Sequence, residues 1–202
     1  MKVTWLGGAG LAFAGERARI LVNCAEGEGD ILLFTSAAHL SKDAVLAMLE
    51  KNPSALVLAS RSAFAALADL GDYNIVPIAA HSVYSEKGIT FYAVRAEGAD
   101  AQAVGFIIDD GSATYYVSGE TLYNYDVLDD VLELVEDGVD YAFLPINGRG
   151  GCMNAKDAAD FAYELGAENA VPLYYGAIPG NPDEFDFEEG KLVLSPFEEK
   201  EL

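Results

Sequence analysis

Hydrophobic residues along the chain follow two patterns: short apolar runs of strand length, and apolar positions spaced as on one face of a helix. Near the N-terminus, three short runs separated by glycines predict strands that pair as hairpins. After its first residue the run Asp30–Phe34 is wholly apolar, which predicts a strand buried on both faces. The predicted strands are Val3–Leu6, Leu11–Ala14, Arg19–Val22, Asp30–Phe34, Ala55–Ala59, Asn74–Ala80, Thr90–Arg95, Val104–Asp109, Ala113–Ser118, Tyr141–Leu144 and Ala170–Leu173, with Lys191–Leu194 as a final edge strand.

Four segments carry helical spacing of apolar residues. Ser41 is the expected N-cap of the first, and Asn52 with Pro53 ends it. Gly138 and Gly166 stand where the C-caps of two later helices are expected. The predicted helices are Lys42–Lys51, Ser62–Leu70, Tyr125–Glu136 and Ala155–Leu165.

Strand-rich sequence followed by strand–helix alternation occurs twice along the chain. This order predicts an α/β protein, specifically a four-layer αββα sandwich in which two mixed sheets lie between outer helices. Periodicity alone is equally compatible with one doubly wound sheet. No low-complexity linker divides the chain, so residues 1–202 are expected to form a single domain. The acidic, turn-rich stretch Gly180–Gly190 is expected to be a solvated loop.

Composition narrows the classes of partner. The net charge is −21, from 33 acidic and 12 basic residues, so nucleic acid would be repelled. No apolar run reaches about 18 residues and Met1–Gly15 does not read as a secretory leader, so we expect no membrane association and a cytoplasmic location. Cys24 and Cys152 are too few for a disulfide framework and are expected to be buried thiols.

Four segments of the chain resemble a known family. They are TWLGGAGLAF, GDILLFTSAAHLSKDAV, AVGFIIDDGSATYYVSGET, and LPINGRGGCMN through VPLYYG. They are similar to T-W-L-G-H-A-[SG]-F, D-x-I-L-x-T-H-x-H-x-D-H, a segment ending in A-G-D-T, and L-P-I-N-G-R-x-x-M-N through I-P-x-H-Y-G. These motifs belong to the metallo-β-lactamase superfamily, and the last resembles the branch containing ascorbate-6-phosphate lactonase. The resemblance implies the four-layer sandwich and a hydrolase ancestry.

The resemblance also implies a metal centre, in which histidines and aspartates hold zinc or manganese and a metal-bound water attacks an ester, lactone, amide or phosphoester. The chain departs from this pattern, because the segment Ala93–Gly98 lacks the expected histidine and the segment Thr35–Ser41 keeps at most one ligand, His39, in any register. The other departures are Gly8 and Ser36 in place of histidines, Asn23 in place of an aspartate, Glu120 in place of the bridging aspartate, and Tyr174 in place of the final histidine. We therefore expect no metal and no cofactor.

The same motif loops supply the candidate site residues. His39 and Glu120 are the candidate general acid or base, with simple hydrogen bonding in a vacated metal cavity as the alternative. Arg149 in its glycine-rich loop is suited to a small anionic ligand, or else it stabilises the loop. His81 is expected at an exposed or strand-edge position and not as a ligand. The candidate ligand-binding residues are Ser36, Asn147, Arg149, Asn154, Tyr174 and Tyr175.

Three functions are compatible with these residues. The first is a fold relative of the hydrolases that has lost metal-dependent hydrolysis and serves as a small-molecule-binding or interaction protein. The second is a hydrolase of lactones, esters or phosphoesters with an altered or metal-independent site. The third is a structural subunit that pairs with another copy of itself, as a homo-oligomer, or with an active paralogue. Whether the chain is an enzyme stays open at this level.

Overall fold

Strands outnumber helices in the computed structural model, which describes residues 1–135, 138–176, 179–188 and 190–202. The helices are α1 (Lys42–Lys51), α2 (Arg61–Ala66), α3 (Tyr125–Leu132) and α4 (Ala155–Glu164). The strands are β1 (Lys2–Trp5), β2 (Leu11–Ala14), β3 (Arg19–Val22), β4 (Ile31–Phe34), β5 (Leu56–Ser60), β6 (Ile75–Ile78), β7 (Val83–Glu86), β8 (Ile89–Arg95), β9 (Val104–Asp109), β10 (Thr114–Val117), β11 (Tyr141–Pro145), β12 (Asn169–Leu173) and β13 (Glu199–Glu201).

The strands form two mixed sheets of similar design. The first has the order β13-β1-β2-β3-β4-β5-β6, and the second has the order β12-β11-β10-β9-β8-β7. In the first sheet β13, β1, β2 and β3 pair antiparallel, while β3 to β6 pair parallel. In the second sheet β7 to β10 pair antiparallel and β10 to β12 parallel. Both sheets therefore combine a hairpin half with a parallel half.

The buried side chains form three layers. Residues of both sheets, such as Phe13, Phe106 and Phe143, make the central layer between the sheets. Val45 and Leu49 of α1 pack with the outer face of the first sheet, and residues of α3 and α4 pack with the outer face of the second. The α/β class and the four-layer arrangement with mixed sheets are confirmed. No helix among the described residues is long and apolar enough to cross a membrane.

Most predicted elements lie within one or two residues of their predicted bounds, and Ser41 caps α1 as expected by accepting from the Ala44 amide. The predicted helix Ser62–Leu70 is shorter, because α2 ends at Ala66 and a 3₁₀ turn spans Ala68–Leu70. The predicted helix Tyr125–Glu136 ends at Leu132, and its last predicted residue, Glu136, lies outside the described residues.

The C-terminal prediction of an edge strand at Lys191–Leu194 is wrong. Lys191 makes only an isolated bridge with Ala170, and the edge strand is β13, which pairs with β1. A sheet edge offers backbone groups that any extended segment can satisfy, so the charged sequence EKE pairs there without an apolar pattern. Strand β7 was likewise not predicted.

The stretch Gly180–Gly190 is not fully solvated, contrary to the sequence prediction. Phe185 and Phe187 are buried among residues of α4 and the second sheet, and the Phe187 ring lies 4.6 Å from that of Tyr163. The acidic residues that surround these two phenylalanines lower the overall hydrophobicity of the segment, so the sequence pattern did not indicate their burial. Glu189 of this stretch lies outside the described residues.

Candidate functional site

The loops that follow β4, β10 and β12 meet at one edge of the sandwich. The Val104 amide at the start of β9 donates to the carbonyl of Thr35, which follows β4, at 2.9 Å. Gly119, which follows β10, has φ +68, and a Cβ there would lie 3.0 Å from Cβ of Thr35. Only glycine allows this close approach in a left-handed conformation. The close approach brings the residue after it, Glu120, to the other sheet.

His39 is held by a short turn of its own. Ala37–His39 form a 3₁₀ turn, and the Ser36 hydroxyl caps this turn by accepting from the Ala38 amide at 3.2 Å. Ser36 is fully buried, so its hydroxyl is occupied by the turn that presents His39. The His39 side chain itself is 24% exposed.

Three side chains converge at this edge, and we call them the His39–Glu120–Tyr174 cluster. Nε2 of His39 lies 3.0 Å from Oε1 of Glu120 and 3.0 Å from the hydroxyl of Tyr174, with which it forms a hydrogen bond. The His39 and Tyr174 rings are 5.8 Å apart and steeply inclined to each other. Nε2 of His39 thus contacts the carboxylate of Glu120, which follows β10, and the phenol of Tyr174, which follows β12. Strand β11 lies between these two strands in the second sheet.

Tyr174 has an unusual backbone. Its φ is +63, a conformation that non-glycine residues adopt rarely and at a cost of order 1–3 kcal/mol. The side chain is only 4% exposed. Burial raises the pKa of its hydroxyl well above the usual range, and the neighbouring Glu120 and Cys152 raise it further. Tyr174 is therefore a neutral phenol at physiological pH.

Cys152 is the buried thiol beside this cluster. Burial, and then the charge of Glu120, raise its pKa to about 12. It belongs to the glycine-rich segment that the sequence singled out, but we expected it only as an inert buried residue. The sequence carried no signal that Cys152 would lie close to Glu120, since 32 positions separate them. It stays protonated at neutral pH.

Asn23 and Thr35 form a second polar pair at the same edge. Asn23 donates to the Thr35 hydroxyl at 2.9 Å and accepts from the Thr35 amide at 3.0 Å. Both residues are buried, and Asn23 has φ +50, which asparagine tolerates better than most residues. The pair joins the ends of β3 and β4. A surface cavity of about 690 Å³ opens beside Asn23.

No family model matches the chain. A protein of Methanoculleus marisnigri described as a UPF0173 metal-dependent hydrolase is 27% identical over 210 residues, which cover 92% of this chain and 87% of that protein. Igni18, a metallo hydrolase of Ignicoccus hospitalis, superposes with a TM-score of 0.83 at 18% identity, over 100% of this chain and 98% of its own. The metallo-β-lactamase fold protein YhfI of Bacillus subtilis superposes with a TM-score of 0.73 at 15% identity, over 97% and 96% of the two chains.

The chain has the metallo-β-lactamase fold. The resemblance drawn from the four sequence segments is thereby confirmed at the level of the fold. The narrower resemblance to the ascorbate-6-phosphate lactonase branch stays a prediction.

The remaining candidate residues make contacts of their own, with residues outside the cluster. Asn154 caps α4, since its side chain accepts from the Asp157 amide at 2.9 Å and donates to the Asp157 carboxylate at 2.8 Å. Tyr175 stacks on Trp5 with ring centroids 4.3 Å apart, and its hydroxyl donates to the Leu194 carbonyl. The adjacent tyrosines thus make different contacts: the buried Tyr174 contacts His39, and the half-buried Tyr175 packs on Trp5.

Asn147 and Arg149 lie on the loop after β11. Asn147 pairs with Asn154 in an isolated bridge, and its side-chain oxygen accepts from the Arg149 amide at 3.5 Å. The Arg149 side chain is exposed, and within the part of the chain that the structure describes it makes no ion pair within 4.0 Å. The guanidinium is therefore accessible to an anion from solution.

His81 lies away from the cluster. Its Nδ1 is 3.4 Å from Oδ1 of the buried Asp130, and its side chain is 62% exposed. The expectation of an exposed position for His81 is confirmed. Asp130 also accepts from the Arg95 amide at 2.6 Å, which ties α3 to β8.

Proposed function

We propose that this chain keeps the metallo-β-lactamase fold without the two-metal hydrolytic centre of the family it resembles, and that the His39–Glu120–Tyr174 cluster binds a small molecule at that edge. One observation carries the proposal: Nε2 of His39 has a carboxylate oxygen and a phenol oxygen each at 3.0 Å. A histidine nitrogen binds a metal through its lone pair. Here that nitrogen is already engaged by two protein oxygens.

The donor set supports the same proposal. A catalytic zinc site uses about three protein ligands, and the cluster offers one imidazole and one carboxylate. Cys152 and Tyr174 would have to lose protons to bind a metal, and burial raises the pKa of both. Within residues 1–135, 138–176, 179–188 and 190–202, no three His, Cys, Asp or Glu side chains are grouped so as to hold a metal ion. These residues do not fit the family's metal centre.

Arg149 supports a ligand with an anionic group. Arg149 is exposed and lies between Gly148 and Gly150, which both have positive φ. Because glycines have no side chain, a ligand phosphate can approach the backbone of this loop closely. A planar guanidinium binds a carboxylate or phosphate through two parallel hydrogen bonds. The positive charge of this accessible arginine attracts an anionic group locally, against the repulsion from the net charge of −21.

Metal analysis tests the proposal. The purified protein is incubated with zinc and with manganese, desalted, and its metal content measured. We expect no stoichiometric retention. The matched control is the variant Ser36→His with Glu120→Asp and Tyr174→His, which restores the family's residue types at three positions. Retention by the control shows that the assay detects a metal at this edge, and stoichiometric retention by the native protein refutes the proposal.

A metal-independent hydrolase is the second candidate function. The observation that favours it is the 3.0 Å contact between Nε2 of His39 and the Glu120 carboxylate, an arrangement that orients an imidazole for acid or base chemistry. A panel of lactones, esters and phosphoesters is assayed in the presence of chelator. His39→Ala and Glu120→Gln should each abolish turnover, while His81→Ala should leave it unchanged. Turnover that survives both of the first two changes removes these residues from the mechanism.

A further inference from the structure

The two ring nitrogens of His39 have different surroundings. Nε2 is engaged by Tyr174 and Glu120, whereas no hydrogen bond joins Nδ1 to any residue in the described parts of the chain. Among those residues the Tyr116 hydroxyl is the one buried side-chain nitrogen or oxygen without a hydrogen-bond partner. The His39 side chain is 24% exposed, so part of the ring is open to solvent.

The surroundings of Nε2 decide where the imidazole carries its proton. A lone pair on Nε2 would face the negative oxygen of Glu120 at 3.0 Å, which is repulsive, whereas an N–H group there is attracted to it. The phenol oxygen of Tyr174 can accept from the same N–H group. In the neutral ring the proton is thus on Nε2, and the lone pair is on Nδ1.

We propose that Nδ1 of His39 is the atom of the cluster that contacts the ligand, and that it accepts a hydrogen bond from a hydroxyl or amine group of a small molecule. This inference rests on the proposed function, in which the cluster is a ligand site. The Glu120 carboxylate gives the cluster a negative charge, and a lone pair on Nδ1 offers nothing to an anion. The anionic group of a ligand needs a separate contact, such as Arg149.

Nitrogen NMR of the histidines tests the protonation pattern. The chain has 2 His, so the spectrum of protein labelled with ¹⁵N-histidine is simple, and His81→Gln assigns it. We expect the neutral His39 ring to carry its proton on Nε2 alone. His81 provides a contrast, since its Nδ1 faces Asp130 at 3.4 Å and should hold a proton for part of the time. A proton on Nδ1 of His39 would overturn the proposal.

The variant Glu120→Gln tests the cause of this pattern. Without the negative charge, the share of the His39 ring with its proton on Nδ1 should rise, while the His81 signals stay unchanged. An unaltered His39 pattern in Glu120→Gln would contradict the electrostatic argument.

Two small probes test the ligand class at constant pH. Ethanolamine, a hydroxyl and amine donor, should shift the Nδ1 signal of His39, and acetate at the same concentration should not. The His81 signals report any nonspecific effect. A shift caused by acetate, or the absence of a shift with both probes, refutes the ligand class. All NMR samples are treated with chelator, so these spectra do not depend on bound metal. Metal retention in the separate assay would refute the proposed function, whereas the NMR spectra test the inference about Nδ1.

Discussion

Two buried polar residues at the edge of the sandwich, Asn23 and Thr35, form a hydrogen-bonded pair. Asn23 and Thr35 satisfy each other through two hydrogen bonds, and Asn23 also adopts a left-handed backbone conformation. Leaving a buried donor without a partner costs about 1–3 kcal/mol, which is more than an exposed pair of the same kind contributes. The stability of this edge therefore depends on individual side chains.

Replacement of Asn23 separates the hydrogen bonds from the backbone conformation. Asn23→Ala loses both the pair and the tolerance for positive φ, and should lower the free energy of unfolding by about 2–4 kcal/mol. Asn23→Gly loses only the pair and should be more stable than Asn23→Ala by about 1 kcal/mol. Urea unfolding measures both. Equal stabilities for the two variants would mean that the backbone conformation carries no strain.

Each helix begins at a polar cap. Ser41, Ser60, Asn124 and Asn154 accept from amides in the first turns of α1, α2, α3 and α4. These helices are 6 to 10 residues long, too short to be stable alone, so caps and packing must support them. Asn154, which the sequence suggested as a ligand-binding residue, is the N-cap of α4.

Substitution of Asn154 tests its role in α4. Asn154→Ala should lower the free energy of unfolding by about 1 kcal/mol, because the Asp157 amide loses its acceptor. Asn154→Asp should retain most of that stability, because an aspartate caps equally well. Thermal and urea unfolding of the two variants provide the comparison. An Asn154→Ala variant as stable as the native protein would show that the cap contributes nothing.

The two sheets are joined at the edge opposite the cluster by a few polar contacts. Arg17, in the turn between β2 and β3, donates to the carbonyls of Gly88 and Asp110 at 2.6 and 2.8 Å, both in turns of the second sheet. Lys87 of the second sheet pairs with Asp30 of the first at 2.5 Å. The amide of Arg19, and then Lys87, lower the pKa of the Asp30 carboxyl.

Acid should weaken this connection. Because the pKa of Asp30 is lower in the folded than in the unfolded protein, its stabilisation is fully present above the unfolded value of about 3.9 and is lost as pH falls below it. Asp30→Asn should therefore be less stable than the native protein at neutral pH, and the difference should shrink below about pH 4. Urea unfolding at both pH values tests this. A difference that does not change with pH would contradict it.

The net charge of −21 acts on the whole molecule. Repulsion among surface carboxylates opposes the compact state, and salt screens it as the Debye length falls from about 30 Å at 0.01 M to about 8 Å at 0.15 M. We expect the melting temperature to rise over this range of sodium chloride. A melting temperature that falls with salt would mean that attractive ion pairs outweigh the repulsion.

Element types and most of their bounds were predictable, since periodicity, N-caps and helix-ending residues act over a few positions. Ser41 and α1 agree with the structure, and β2, β3 and β9 have their predicted ends. The prediction failed where pairing partners are distant. β13 pairs with β1 across nearly the whole chain, and no local pattern of its charged residues indicates that strand.

The motif loops could be matched from the sequence, and so could the residue types that replace the family's histidines. Their contacts could not. His39 and Tyr174 are 135 positions apart and meet at 3.0 Å because two sheets pack face to face. Tyr174, whose φ is positive, contacts His39, while the next residue, Tyr175, packs on Trp5, and no local pattern indicates either contact. The types and bounds of the helices and strands depend on neighbouring residues and can be predicted from the sequence. The geometry of the cluster depends on the packing of strands that are far apart in the chain, so only the tertiary structure determines it.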